Sequence, residues 1–211
     1  MVSPPRTAAV RGGGLLVGKN DNRLSFMDVM VIAIMAALVY MYVRNHYTEV
    51  KLVRSGVDDR TYLVRNLPSN QKAADLLATL SHELCRVIRH AKAKYPKKKS
   101  IQRLYENFDP ENVSEGGTES GYTSYSVNKG EKLVMCIRQK DDRFVDTNVL
   151  LYVAIHELAH LMTKGMGHTE TFWDNFKFLL REAMDIGVYK KVDYARHPQK
   201  YCGITISSSV V

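Results

Sequence analysis

The sequence VAIHELAHLM, residues 153–162, contains two histidines four positions apart and a glutamate directly after the first. Residues four apart lie on one face of an α-helix, so His156 and His160 can bind the same metal ion. Glu157, about 100° further round the helix, can approach a water on that ion. Zinc is the expected metal, because it accepts neutral imidazole and leaves one tetrahedral position for water. Zinc lowers the pKa of this water towards ~7, and Glu157 can take its proton as the water attacks a peptide carbonyl.

A second His-Glu pair offers an internal comparison. His82 and Glu83 repeat the first half of the motif, but Arg86 stands where the second ligand is required. We therefore expect His82 and Glu83 to be ordinary residues on a helix surface. For the motif at 156–160, the corresponding alternative is a pair of solvent-facing or core histidines without a metal.

Two residues compete to be the third ligand. His168 follows a Gly-Met-Gly segment, 165–167, that could turn the chain back towards the metal. Glu182 lies on the next predicted helix, where a thermolysin-like site takes a carboxylate. We favour His168, because it is the first polar residue after this segment and starts a helix that would pack behind the site.

The flanking sequence predicts an α+β fold in which the helix carrying the motif packs on a small sheet. Apolar residues at helical spacing predict helices at 69–95, 147–163 and 169–185. Runs typical of strands predict hairpins of 49–53 with 60–64 and of 122–127 with 132–138, and a last strand at 201–206. Ser69 and Asp146 are the predicted caps, Trp173 is a predicted core residue, and 108–121 is a predicted polar loop. If the strand at 132–138 is a sheet edge, it could hold a peptide substrate by strand addition.

The N-terminal region contains an apolar run of 20 residues, 24–43, with Ser25 and Asp28 as its only strongly polar members. As a helix it would be about 30 Å long, which matches the hydrocarbon thickness of a bilayer. We predict an uncleaved transmembrane anchor, with a cleaved signal peptide and a buried core helix as alternatives. Residues 1–23 are then a disordered tail, and 44–211 form the catalytic domain.

Charge and composition restrict the function class only weakly. Lys and Arg number 30 against 22 Asp and Glu, a net charge of +8, while 13 Gly and 3 Cys exclude collagen-like and disulfide-scaffold proteins. The basic run at 86–99 could contact nucleic acid or anionic lipid, although a solvated helix end is favoured. Cys85, Cys136 and Cys202 are odd in number and widely spaced, which favours reduced thiols in a reducing, cytosol-like compartment.

Several tyrosines could donate a hydrogen bond to the oxyanion formed during peptide hydrolysis. The candidates are Tyr122, Tyr125, Tyr189 and Tyr194. The sequence does not choose among them.

Two stretches resemble a known family. YTSYSVNKGEKLVMCIR, residues 122–138, and HELAHLMTKGMGHTETFW, residues 156–173, are similar to the WLM and SprT-like group of zinc metallopeptidases, which belong to the zincins. The resemblance implies zinc bound by His156, His160 and His168, and catalysis by Glu157. RTYLVRNLPSNQKAADLLA (60–78) and KYCGITI (200–206) also look like putative metallopeptidases of large DNA viruses and some protists.

The expected function is therefore a membrane-anchored zinc metallopeptidase that acts on a protein or peptide substrate. The resembling group acts on proteins crosslinked to DNA, but a membrane anchor at 24–43 fits that substrate poorly. Processing at a membrane, such as the internal membrane of a virion, is the other setting considered. The alternatives are a catalytically silent structural component of a membrane or virion that is stabilised by zinc, and an adaptor that binds nucleic acid or lipid.

Overall fold

A computed structural model of the chain describes residues 25–46, 49–116, 124–127 and 130–211. It divides into an N-terminal unit, Met1–Tyr47, and a larger unit, Thr48–Val211. The described part of the first unit is one helix, α1, Phe26–His46. Its stretch Phe26–Arg44 is long and apolar enough to cross a membrane, and its side chains are exposed. The predicted apolar helix is thus present, while the predicted disordered tail lies outside the described residues.

The larger unit has the predicted α+β composition. Its helices are α2 (Asn70–Lys94), α3 (Lys99–Asn107), α4 (Thr147–Met162) and α5 (Glu170–Asp185). Its strands are β1 (Val50–Arg54), β2 (Thr61–Arg65), β3 (Val113–Glu115), β4 (Ser124–Val127), β5 (Lys132–Met135), β6 (Gln199–Tyr201) and β7 (Ile204–Ile206). The antiparallel pairs are β1 with β2, β4 with β5, and β6 with β7, and β3 joins β5 in parallel.

Helix α4 lies in the middle of the core. The Asp146 carboxylate caps it, as predicted, by accepting hydrogen bonds from the backbone N–H groups of Asn148 and Val149. Its residues are apolar on nearly every side, which is the pattern of a helix surrounded by protein. The helix packs against α2, α3, α5 and β4. His156, Glu157 and His160 are therefore carried by a helix that the core holds in place.

Helix α2 is amphipathic and ends before Pro96, as its sequence predicts. The predicted cap is wrong in detail, because Ser69 adopts a left-handed conformation with φ 65° and its side chain makes no capping hydrogen bond. The alanines and leucines of α2 instead fix the helix by burial against α4 and α5.

Helix α3 and strand β3 were not predicted, and the single last strand predicted at 201–206 is instead two antiparallel strands, β6 and β7. Helix α3 buries only Ile101 and Leu104, too short an apolar pattern to stand out from its basic surroundings. Strand β3 lies inside the predicted polar loop 108–121, and it is stabilised by tertiary contacts. Its Glu115 is buried and forms an ion pair of 3.1 Å with the equally buried Arg138.

Strand β5 is the central strand of the sheet ordered β3-β5-β4. The prediction that this strand could be a sheet edge is therefore wrong, because β3 pairs with the side opposite β4. Pairing with β3 could not be foreseen while the preceding segment was interpreted as a loop.

The prediction of three reduced thiols is wrong for two of them. Cys136 and Cys202 form a disulfide between the end of β5 and the turn of the β6–β7 hairpin. The fold brings these residues together across a sequence separation of 66. Cys85 is a free thiol. The cysteines therefore no longer support a reducing compartment.

Candidate metal centre

Three histidine rings converge at the C-terminal end of α4. His156 and His160 lie one turn apart, with ring centroids separated by 5.0 Å. The ring of His168 lies 4.9 Å from that of His156 and 5.0 Å from that of His160. One nitrogen from each ring lies within 4.8 Å of the others, and the Nε2 atoms of His156 and His168 are 3.0 Å apart. The structure thus brings together the three residues that the sequence selected.

The segment between α4 and α5 brings His168 back to the helix. Buried Thr163 donates a hydrogen bond to the carbonyl of Ala159 and accepts one of 2.9 Å from the side chain of Asn175 on α5. Gly167 has φ +77°, a left-handed conformation that favours glycine. Thr169 then caps α5 by accepting from the N–H of Phe172. These contacts fix both ends of the segment that carries the third imidazole.

Phe172 forms an apolar floor beneath the histidines. It is fully buried, and its ring centroid lies 4.8, 4.3 and 4.7 Å from those of His156, His160 and His168. Burial, and then the neighbouring imidazoles, lower the pKa of His156 to about 3. Burial and His168 also lower the pKa of His160. Both imidazoles of α4 are therefore neutral at physiological pH, the form that binds metals.

Glu157 is buried beside this cluster. Burial raises the pKa of its carboxyl to about 7, although the backbone N–H of Ser126 on β4 donates a hydrogen bond that opposes the shift. The carboxyl is thus poised to exchange a proton near neutral pH.

These groups line a cleft of about 690 Å³. Residues of β4, of helix α4 and of the segment 165–168 line it. The β6–β7 hairpin supplies Tyr201, Ile204 and Ile206. The cleft is large enough for a few residues of an extended peptide.

Glu182, the competing ligand, lies in a different cluster. Its carboxylate accepts hydrogen bonds from Lys94 at 3.0 Å and from Tyr95 at 2.8 Å, and it lies 3.0 Å from the Nε2 atom of His90. The Lys94 ammonium also contacts Asp185. Among the described residues, His90, Glu182 and Asp185 are close enough to hold a cation, but the Lys94 ammonium already contacts both carboxylates. They join α2 to α5.

The other predicted residues have mixed outcomes. His82 is mostly exposed and Glu83 pairs with Arg86 at 2.6 Å, as expected of a helix surface. The prediction of Trp173 as a core residue is wrong, because its side chain is 37% exposed and its ring lies 5.5 Å from that of His168. Phe172 takes the inward position beside it. The basic run at 86–99 is partly paired with carboxylates, as a solvated helix end would be.

Among the candidate tyrosines, Tyr125 lines the cleft. Tyr189 and Tyr194 instead pack around Tyr152 in the core, and Tyr122 lies outside the described residues. Tyr201 was not among these candidates, yet its buried hydroxyl contacts the Ser124 hydroxyl in the cleft. The sequence feature that could have identified Tyr201 is the next residue, Cys202, because its disulfide to Cys136 holds this segment beside β5.

A buried helix with His-Glu-x-x-His, a third histidine beyond its end and a small sheet alongside define the class of zincin-like metallopeptidases. Within that class the chain belongs to the WLM family: the WLM domain matches residues 60–203. This is a metallopeptidase family, so the chain is related to hydrolases. The family assignment suggested by the sequence is confirmed.

The chain is also similar to viral proteins and to a yeast protein of known structure. Uncharacterized protein R325 of Acanthamoeba polyphaga mimivirus is 28% identical over 190 residues, which cover 88% of this chain and 96% of that protein. Uncharacterized protein 136R of Invertebrate iridescent virus 6 is 36% identical over 74 residues, 34% of this chain and 41% of that protein. The crystal structure of Wss1 from Saccharomyces cerevisiae has 18% identity and a TM-score of 0.44, covering 58% of this chain and 86% of that one.

Proposed function

We propose that this protein is a membrane-anchored, zinc-dependent peptidase. The observation that carries the proposal is the convergence of His156, His160 and His168 beside the buried carboxyl of Glu157 in one cleft. Histidines that bind no metal would have no reason to converge, and their presence would not explain a buried glutamate next to them. Helix α1 would hold the enzyme in a bilayer.

The donor set fits zinc. A tetrahedral ion with Zn–N distances of 2.0–2.1 Å separates its nitrogens by about 3.3 Å, so three nitrogens within 4.8 Å of one another need only small ring movements. His156, His160 and His168 would hold the ion, and the low pKa of His156 keeps protons from competing for it. Three protein ligands leave a fourth position open, as in catalytic zinc sites.

Zinc, when bound, would supply Lewis-acid activation of water and of the peptide carbonyl. Glu157 takes a proton from the attacking water at its carboxylate and returns it to the leaving amine. Its raised pKa suits both transfers, and the N–H of Ser126 holds the carboxylate in place. Tyr201 lines the same cleft and interacts electrostatically with Glu157, which makes its buried hydroxyl the leading donor for the oxyanion, with Tyr125 as the alternative.

The substrate proposed is a protein segment in extended conformation. Such a segment fits the cleft between β4, the outer strand of the described sheet, and the β6–β7 hairpin. The side chains of Ile204 and Ile206 make one wall apolar. The anchor would restrict substrates to proteins at or near the same membrane.

The test is a comparison of two matched variants of the full-length chain. Glu157→Gln removes the proposed base, whereas Glu83→Gln makes the same change in the second His-Glu pair of the sequence. Cleaved proteins are identified by mass spectrometry of new N-termini, and zinc is measured by elemental analysis. We expect Glu157→Gln to keep zinc and abolish cleavage, and Glu83→Gln to keep both zinc and cleavage.

Other outcomes would support the alternatives. Stoichiometric zinc without any cleavage by the wild-type chain would favour a silent, zinc-stabilised component of a membrane or virion. Cleavage that persists in Glu157→Gln would contradict the proposed mechanism. The nucleic-acid adaptor is less well supported, because Lys94 and Arg86 of the basic run are already paired with carboxylates.

A further inference from the structure

Large apolar side chains are exposed at only a few places in the described residues of the larger unit. They are Leu52, Val57, Tyr105, Met166, Trp173 and Ile204. Met166 and Ile204 line the cleft, and Trp173 contacts one of its histidines. Leu52 and Val57 have no such explanation, and both belong to the β1–β2 hairpin. Leu52 is 67% exposed and Val57 58%.

The hairpin has one buried face and one apolar outer face. Tyr62 and Val64 of β2 are buried in the core. Side chains alternate along a strand, so Leu52 and Leu63, which stand directly opposite each other, lie on the other face. Arg54 continues that face at one end, where its guanidinium pairs with the Asp59 carboxylate at 3.3 Å. An exposed apolar patch bordered by charged side chains can rest in the interfacial region of a bilayer.

The hairpin is held firmly in this orientation. The Asp75 carboxylate on α2 accepts hydrogen bonds from the N–H of Gly56 at 2.7 Å and from the Ser55 hydroxyl at 2.9 Å. Gln71 of the same helix donates to the carbonyl of Arg54 at 2.9 Å. The exposed leucine is therefore presented by a fixed element, not by a loose turn.

Only a short stretch of chain joins the candidate membrane helix to this hairpin. Helix α1 ends at His46 and β1 begins at Val50. Four Cα–Cα steps span at most about 14 Å, even when fully extended. If α1 crosses a bilayer, the first strand of the hairpin must begin within that distance of the end of the span.

We propose that the outer face of the β1–β2 hairpin rests on the headgroup region of the bilayer that holds α1. The inference rests on the proposed anchoring by α1. Leu52, Val57 and Leu63 would enter the interface, and the ion pair of Arg54 with Asp59 would lie at its border. The contact would restrict rotation of the domain about its tether.

The experiment uses the full-length chain in nanodiscs of phosphatidylcholine with a minor fraction of phosphatidylserine. In a Cys85→Ser background, Leu52→Cys is labelled with a nitroxide, and its collision rates with oxygen and with a water-soluble nickel complex are measured. Tyr105→Cys is the matched control, because Tyr105 is also half exposed and lies over Lys92. Lys92 is 17 residues along α2 from the Asp75 contact, about 25 Å.

Co-elution of the chain with the nanodiscs tests the anchor separately. We expect the oxygen-to-nickel ratio at Leu52→Cys to exceed that at Tyr105→Cys at least about twofold, because apolar side chains at an interface lie ~5–10 Å below the headgroup surface. Equal ratios in chains that co-elute would overturn the hairpin contact and leave the anchor intact. Low collision rates with both reagents would mean that protein covers the hairpin, and this result would also overturn the proposed contact with the bilayer. Failure to co-elute would overturn the anchor, and the contact with it.

Discussion

The disulfide between Cys136 and Cys202 should contribute much of the domain's stability. It closes a loop of 66 residues that contains α4 and α5. In the chain-entropy description, a crosslink of that span removes about 15 cal/mol/K from the unfolded ensemble, which is about 4 kcal/mol at 25 °C. We therefore expect Cys136→Ser/Cys202→Ser to lower the free energy of unfolding by about 4 kcal/mol. The hairpin that carries Tyr201 into the cleft should also loosen.

The measurement is urea unfolding of the full-length chain in mild detergent, with and without a reductant. Cys85→Ser is the matched control, because Cys85 is free and its replacement breaks no crosslink. Reductant should destabilise the wild type and Cys85→Ser alike, and leave the double variant unchanged. If the oxidised wild type and the double variant unfold at the same urea concentration, the loop-closure reasoning is refuted. Titration of the denatured, unreduced chain should find one reactive thiol.

Three further predictions concern the site and its supports. His168→Ala should abolish stoichiometric zinc binding, whereas Glu182→Gln should retain zinc while losing thermal stability; the reverse result for zinc would reassign the third ligand. Asn175→Leu should cost about 1–3 kcal/mol in chemical unfolding, because it removes the buried donor to Thr163, and an unchanged midpoint would contradict that bond. The N–H of Gly56, followed by smaller contributions, lowers the pKa of Asp75. Its stabilisation is therefore complete above the unfolded pKa, ~4, and is lost as pH falls through the lower folded value. Asp75→Asn should have a lower melting temperature than the wild type at pH 7 and the same melting temperature in strong acid. A difference that does not change with pH would contradict a role for the negative charge of Asp75.

The histidine cluster could be predicted because its signals are local. Two of its histidines are one helical turn apart, and the helix around them has an apolar pattern that specifies its position and its cap. His168 required an assumption about the turn after Thr163. The structure supports that assumption through the Asn175 hydrogen bond, a contact between two helices that no local pattern encodes.

The features that sequence reasoning missed depend on distant partners. Strand β3 exists because it pairs with β5 and because the charge of Glu115 meets Arg138. The disulfide depends on the β6–β7 hairpin folding back to the sheet. Spacing arguments cannot locate such contacts, because the partners are separated by tens of residues and their meeting depends on the completed topology.

The position of Trp173 also has a practical consequence. It is the single tryptophan of the chain, and its ring lies 5.5 Å from the imidazole of His168. Indole emission responds to a charge placed on a neighbouring ring. The ultraviolet fluorescence of the unlabelled protein should therefore report directly on what the histidines hold, so that metal exchange can be followed in real time without any added dye.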